Sequence, residues 1–257
     1  MMTGGSLGWD EGDRFDLLGM RTLRPRILTL LVASLTWIAV PPGIQGSEES
    51  TPSAGHARVE STSPTDAMQR LVEGNKRFME GKPQHPHQAR TWRDLIEKGQ
   101  KPFAVVVGCS DSRVPPELVF DQGFGDLFVI RVAGNITEED GIGSVEYAVD
   151  HLGAQLVVIL GHTSCGAVTA ALDHLSDPAE EPSEIVSLLY RIEPAVSGLP
   201  KDAGREAQLA EAVKRNVDLA VRRLSRVEDM RKNLKSGKVK IVGAVYDMHT
   251  GKVDFLK

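Results

Sequence analysis

The chain has 257 residues, 41% of them hydrophobic and 25% charged, with a formal net charge of −5. The mild acidic balance, without a long basic run or interleaved aromatic patch, speaks against nucleic acid as a partner. Two cysteines in the whole chain exclude a disulfide-dense secreted scaffold.

The first sixty or so residues do not read as globular; the remainder suits one α/β domain with a sizeable core. Residues 1–19 carry Asp10, Glu11, Asp13 and Asp16 against Arg14, the wrong charge for the start of an export signal. From Met20 the pattern changes. Arg21, Arg24 and Arg26 precede a run of fourteen largely apolar residues, 27–40, and then Pro41, Pro42 and Gly43. This reads as an export signal region over 1–46, with translation starting at Met20 and cleavage near Gly46. The expectation is an exported protein, periplasmic or extracellular, that meets the membrane only through that signal. A retained N-terminal anchor is the alternative, although the run is short for a bilayer crossing. Residues 47–63 are rich in Ser, Thr, Glu and Pro and read as a flexible linker.

The folded domain is expected over 64–257. Ser63 can cap a helix, Pro64 fits its first turn, and Asp66 faces the positive helix end. Met68, Leu71, Val72 and Phe78 give that helix an imperfect apolar stripe, for its own domain or for a partner subunit. Residues 82–87 form a Pro/His loop, with His85 and His87 as surface residues, and 90–98 a short helix. Apolar runs at 103–107, 127–132 and 156–160 read as buried strands bounded by glycine. Between them lie a short helix opened by Pro115 and Pro116, a loop at 133–135 and a helix over 140–152. Helices come next at 166–175, 183–192 and 205–234, the last one long and charged, with Val217, Ala220, Val221 and Leu224 as its buried stripe. Strand 239–246, a turn through Thr250 and Gly251, and 253–256 close the chain as a hairpin. The fold class is α/β: a mostly parallel central sheet flanked by helices, with an antiparallel C-terminal edge strand.

Two of these strands run straight into soft metal ligands. Gly108-Cys109-Ser110-Asp111-Ser112-Arg113 comes after the first, and Gly161-His162-Thr163-Ser164-Cys165-Gly166 after the third. Ligands gather past the carboxyl ends of strands in an open parallel sheet, so Cys109, Asp111, His162 and Cys165 can meet at one point. Two thiolates, an imidazole and a carboxylate suit a tetrahedral zinc ion. The two cysteines stand far apart in sequence, unlike the paired knuckles of structural zinc modules. With three certain ligands the fourth position is open to water, whose pKa zinc lowers toward about 7. Asp111 either closes the site as fourth ligand or pairs with Arg113 and accepts a hydrogen bond from that water. A saturated structural zinc is one rival reading. A disulfide between the cysteines is another, and it leaves His162 and Asp111 without a reason for their placement. His151, His174 and His249 are isolated and read as ordinary residues. Arg131 serves either the site or a subunit contact.

Four stretches carry a family resemblance: C-S-D-S-R-V at 109–114, D-Q-G-x-G-D-L-F-V-x-R-x-A-G-N at 121–135, G-H-T-S-C-G-A at 161–167, and V-G-A-x-Y-D-x-x-T-G-K-V at 242–253. From about Asp66 onward the chain resembles the beta-class carbonic anhydrases. The resemblance implies a zinc lyase, a carbonate dehydratase, that reversibly hydrates carbon dioxide to bicarbonate and a proton through hydroxide held on one Zn2+ per subunit. It implies Cys109, His162 and Cys165 as ligands, and Asp111 with Arg113 as a gating pair. Gln100 and the backbone of Gly166 would bind substrate. It also implies a homodimer or higher homo-oligomer, with the helix from Asp66 as an arm across the partner. Val106 stands where some members carry a tryptophan of an inhibitory bicarbonate site, which speaks against that regulation. A non-catalytic zinc module and a lyase for a related heterocumulene such as carbon disulfide are the competing functions.

Overall fold

Ser63 caps the first described helix in the way its sequence predicts. Its hydroxyl accepts from the Asp66 amide at 3.1 Å, and helix α1 spans Pro64–Met79. A cap of this kind is worth about 1 kcal/mol. The computed structural model describes residues 62–177, 180–200 and 202–256. The expected signal region, 1–46, and all of the linker but Thr62 and Ser63 lie outside the described residues.

Helix α1 packs on its own chain through Ala67 and Leu71, both fully buried, while Val72 and Met79 stay exposed. Asn75 ties it down further. Its amide donates to the carbonyls of Val119 and Gly251, and its oxygen accepts from the Val253 amide. Helix α2, Arg90–Ile96, buries nothing. It is held by the Trp92 indole, which donates to Phe124 O at 2.8 Å and stacks on His87 with 3.9 Å between ring centres. His87 in turn meets the buried Asp126 carboxylate at 2.7 Å.

Strands β1 (Ala104–Gly108), β2 (Leu127–Arg131), β3 (Leu156–His162), β4 (Lys240–Tyr246) and β5 (Val253–Phe255) form one sheet in the order β2-β1-β3-β4-β5. All neighbours run parallel except β4 and β5, which pair antiparallel from Ala244↔Phe255 to Tyr246↔Val253. Every residue of β1 and β3 is buried, as a parallel sheet covered on both faces requires. Successive side chains point to opposite faces. Ala104 and Val106 join the core shared with α1, α5 (Gly166–Ser176) and α6 (Ser183–Val196). Val105 and Val107 join the core shared with α4 (Glu139–Asp150) and α7 (Arg205–Arg226). The short helix expected at Pro116 spans Pro116–Val119, and the loop at 133–135 is a 3-10 turn.

The one long helix expected over 205–234 is two. Val227 is extended (φ −59, ψ 135) and its carbonyl accepts the Arg231 amide at 2.8 Å, opening a second helix, Glu228–Lys235. A straight helix the length of α7 already spans roughly 33 Å, against roughly 23 Å for a seven-residue strand. The break brings Met230 back into the core, where it is fully buried. Close contact between α7 and the sheet rests on Gly161: a Cβ there would come within 2.6 Å of Val217 Cγ2.

Candidate metal centre

Register decides which loops meet. β1 and β3 are neighbours with Gly108 opposite Leu160, so the two motifs leave the sheet side by side. Cys109 follows β1 directly, and Cys165 stands immediately before α5. The third strand, expected to stop at residue 160, continues through His162, which pairs with Tyr246 of β4. The imidazole is therefore part of the sheet and 1% exposed.

The donor atoms of Cys109, His162 and Cys165 lie within 4.8 Å of one another, and all three residues are buried. Both cysteines are free thiols rather than a disulfide. His162 Nδ1 meets Thr163 O at 2.9 Å, which makes Nδ1 the protonated nitrogen and leaves Nε2 with a lone pair. Nε2 is buried without a hydrogen-bond partner. An orphaned imidazole nitrogen beside two buried thiols is costly without a cation, and it is the donor set that zinc takes.

The charges lead to the same conclusion. The Cys109 thiol is held below its usual range chiefly by the hydrogen bond from Cys165, against burial, with help from His162 and from the amides of Asp111 and Gly134. Those amides lie 3.4 and 3.3 Å from its sulfur. Cys165 is pushed up by the neighbouring Cys109 sulfur and by burial, against the amides of Val168 and Ala167. Ionisation of one buried sulfur thus makes it harder for the other to ionise; a bound cation lets both ionise.

Asp111 is not one of the three mutually close donors. Its Oδ1 accepts the Arg113 amide at 3.0 Å and Arg113 Nε at 2.9 Å, and its Oδ2 accepts Arg113 Nη2 at 2.6 Å. Oδ2 stands 3.9 Å from His162 Nε2. Of the two arrangements open to the sequence, this is the arginine-paired one. The Arg113 fork holds the Asp111 carboxyl well below the usual carboxylate range. Arg113 also donates to Ser164 O at 3.4 Å, reaching from one loop to the other.

Gly166 opens α5 next to Cys165, exposed and with open space over its Cα. Gln100 is different. It is exposed in the coil before β1, and the whole of that five-residue strand, roughly 17 Å long, lies between it and Cys109. The chain does not bring Gln100 to its own cluster. Two further residues support the site, Arg131, whose role the sequence leaves open, and Asn216, which has no signal of its own. Arg131 donates to the carbonyls of Cys109 and Asp111, so it serves the site. Buried Asn216 on α7 donates to Gly134 O at 2.8 Å and supports the turn whose amide reaches Cys109.

Comparison with known proteins agrees with this geometry. Residues 104–253 match the model of the carbonic anhydrase family. The chain is 40% identical over 192 residues to carbonic anhydrase 2 of Mycobacterium tuberculosis, covering 74% of this chain and 92% of that one. It is 40% identical over 198 residues to the carbonic anhydrase of Mycolicibacterium smegmatis, covering 75% and 93%. The solved beta-carbonic anhydrase CcaA aligns with a TM-score of 0.60 at 27% identity, covering 74% of this chain and 95% of its own. A tetrameric beta-carbonic anhydrase of Sordaria macrospora shares the fold, with a TM-score of 0.60 at 24% identity over 74% and 97% of the two chains. The chain belongs to the carbonic anhydrase family, in its beta class. It is a zinc-dependent carbonate dehydratase, a lyase for the reversible hydration of carbon dioxide to bicarbonate.

Proposed function

We propose that Cys109, His162 and Cys165 hold the zinc of this enzyme, and that Asp111 and Arg113 govern its remaining coordination position. The observation that carries this reading is the convergence of three buried donors within 4.8 Å, with a carboxylate held by an arginine 3.9 Å from one of them. Zinc, when bound, supplies the Lewis acidity that lets water lose a proton near neutral pH. Thr163 O fixes the imidazole so that Nε2 faces the metal. Arg113 keeps Asp111 ionised and off the donors. The Asp111 carboxylate can then accept a hydrogen bond from the attacking water and orient it. The Gly166 amide, at the positive end of α5, suits an oxygen of the substrate that gains negative charge. Metal analysis with stopped-flow hydration tests the assignment. One zinc per chain and a rate above buffer are expected. Full zinc in a Cys109→Ser protein with full rate would remove that residue from the ligand set, and full zinc at the buffer rate in the unaltered protein would favour a non-catalytic module.

The placement of Gln100 supports an oligomer. A residue that cannot reach its own cluster meets substrate only across an interface, so Gln100 acts in a neighbouring subunit's site. The half-buried edge strand β2 and exposed Phe124 and Tyr147 offer apolar surface for such a contact, and the S. macrospora fold neighbour is tetrameric. Helix α1, with Val72 and Met79 exposed, is the arm toward the partner. Light scattering that finds a fully active monomer overturns this. Export is inferred from Arg21, Arg24 and Arg26 ahead of the apolar run, with the mature chain starting between Ile44 and Ser50. Among the described residues no helix is long and apolar enough to cross a membrane. Mass spectrometry of native protein still carrying Met20 would instead indicate an anchor or a protein that stays inside.

A further inference from the structure

Arg131 is the last residue of β2, and its partner across the ladder is Gly108. Its guanidinium therefore lies beside the first residues of the Cys109 loop. Nε donates to Cys109 O at 2.9 Å and Nη2 to Asp111 O at 2.5 Å. The Asp111 carbonyl also accepts the Val114 amide at 3.1 Å. One planar fork thus gathers two carbonyls two residues apart, which a rigid guanidinium does and a lysine's single ammonium does poorly. Within the loop so held, the Asp111 amide meets Cys109 Sγ at 3.4 Å.

Asp111 is accordingly gripped twice. Arg113 takes its carboxylate and Arg131 its main chain. The two grips differ in what they are anchored to. Arg113 stands two residues away on the same short loop, with its side chain 56% exposed, so that fork restrains the carboxylate without tying the loop to the sheet. Arg131 belongs to β2, which is paired to β1 along its whole length, so its grip ties the loop to the sheet.

We propose that Arg131 is a positioning residue that keeps the Asp111 carboxylate short of the metal. It acts by fixing the Asp111 main chain rather than by touching the reacting atoms. The inference rests on the reading that Cys109, His162 and Cys165 hold the metal. The gap to be guarded is small, 3.9 Å from Oδ2 to His162 Nε2, and a divalent cation is the strongest charge within the carboxylate's reach. Once Arg131 is lost, the loop relaxes and Asp111 takes the position that an exogenous anion would otherwise occupy.

Cobalt(II)-loaded protein tests this, because its visible spectrum reports the ligands on the metal independently of turnover. Thiocyanate should change the wild-type spectrum. Arg131→Gln should still bind cobalt but lose the thiocyanate response, because Asp111 already fills the position. Adding Asp111→Asn to Arg131→Gln should restore the response, since asparagine is no anionic ligand. A merely structural Arg131 would lower the Tm of Arg131→Gln and leave its thiocyanate response intact, which overturns the proposal. A response lost in Arg131→Gln and still absent in the double variant overturns it too. Arg131→Lys, which keeps the charge and reaches one carbonyl, should respond only in part, and it carries the test if Arg131→Gln does not fold; a full response there overturns the proposal. A wild-type protein that takes up no cobalt overturns the metal assignment itself, a failure distinct from that of Arg131.

Discussion

The two loops that build the metal centre are held by different forces. The loop after β3 is held by packing. His162 and Cys165 are each 1% exposed, and β3 is paired on both sides, to β1 and β4. The Thr163 amide donates to Tyr246 O at 2.9 Å, and Thr163 Oγ1 accepts the Met248 amide at 3.1 Å. The loop after β1 sends Cys109 and, at its far end, Val114 into the core. Between them, Arg113 is exposed and Asp111 partly so; they are held by their own ion pair, and Arg131 grips the Asp111 main chain. Two of the three donors come from the packed loop, and the charged one adds Cys109 together with the group that has to stay near the metal without binding it. Charge-assisted hydrogen bonds at a surface can be exchanged at modest cost, whereas packed side chains cannot.

Breaking the packed half should have the largest effect. His162→Ala and Cys165→Ser are each expected to lose zinc and to hydrate carbon dioxide no faster than buffer, read by metal analysis and stopped flow. Breaking the charged half should be milder and of another kind. Arg113→Ala is expected to keep its zinc and lose roughly 10–100-fold in rate, the usual range for removing a partner that orients a metal site, because the freed Asp111 carboxylate competes for the metal. Wild-type rates at every pH for this variant would show that the pair does not control the site. Asp111→Asn should also keep zinc and lose roughly tenfold, since the amide neither competes for the metal nor orients water as the carboxylate does. The smallest effect sharpens the comparison from the packed side. Gly161→Ala places a Cβ against Val217 and should cost about 1–3 kcal/mol, a Tm lower by at least about 2 °C. Its rate at low temperature should fall less than that of Arg113→Ala. An unchanged Tm would mean that α7 moves freely away from β3.

Much of this was legible in the residues. Ser63, Pro64 and Asp66 announce α1 because capping is a local matter. The apolar runs announce the parallel strands because burial on both faces leaves no polar position in them. Cys109, His162 and Cys165 stand out because soft ligands directly after buried strands have few other uses. What escaped depends on contacts between distant segments. The charge pattern of 205–234 continues across Val227, and only the length of the sheet beneath it gives a reason for the break. Arg131 is in view from the sequence as serving the site or a subunit contact, and the choice between them comes from the Gly108↔Arg131 register, which no local pattern encodes. His87 reads as a surface histidine until Asp126 and Trp92 are placed against it. Gln100 lies nine residues before Cys109, yet a strand stands between them, so closeness in sequence misleads about closeness in space.

The continuation of β3 through His162 has a kinetic corollary. Backbone amides in a strand paired on both sides are among the last to exchange with solvent, because they open only when the whole domain does. β3 is paired on both sides as far as Leu160 and to β4 alone through His162, so the imidazole swings away only when the β3–β4 pairing opens. Zinc held there should leave on the timescale of global unfolding, so that its loss to a chelator becomes independent of chelator concentration once the chelator is in excess. Mild denaturant should then speed release in proportion to the unfolding rate. The residence time of the metal would in effect report the lifetime of the native sheet.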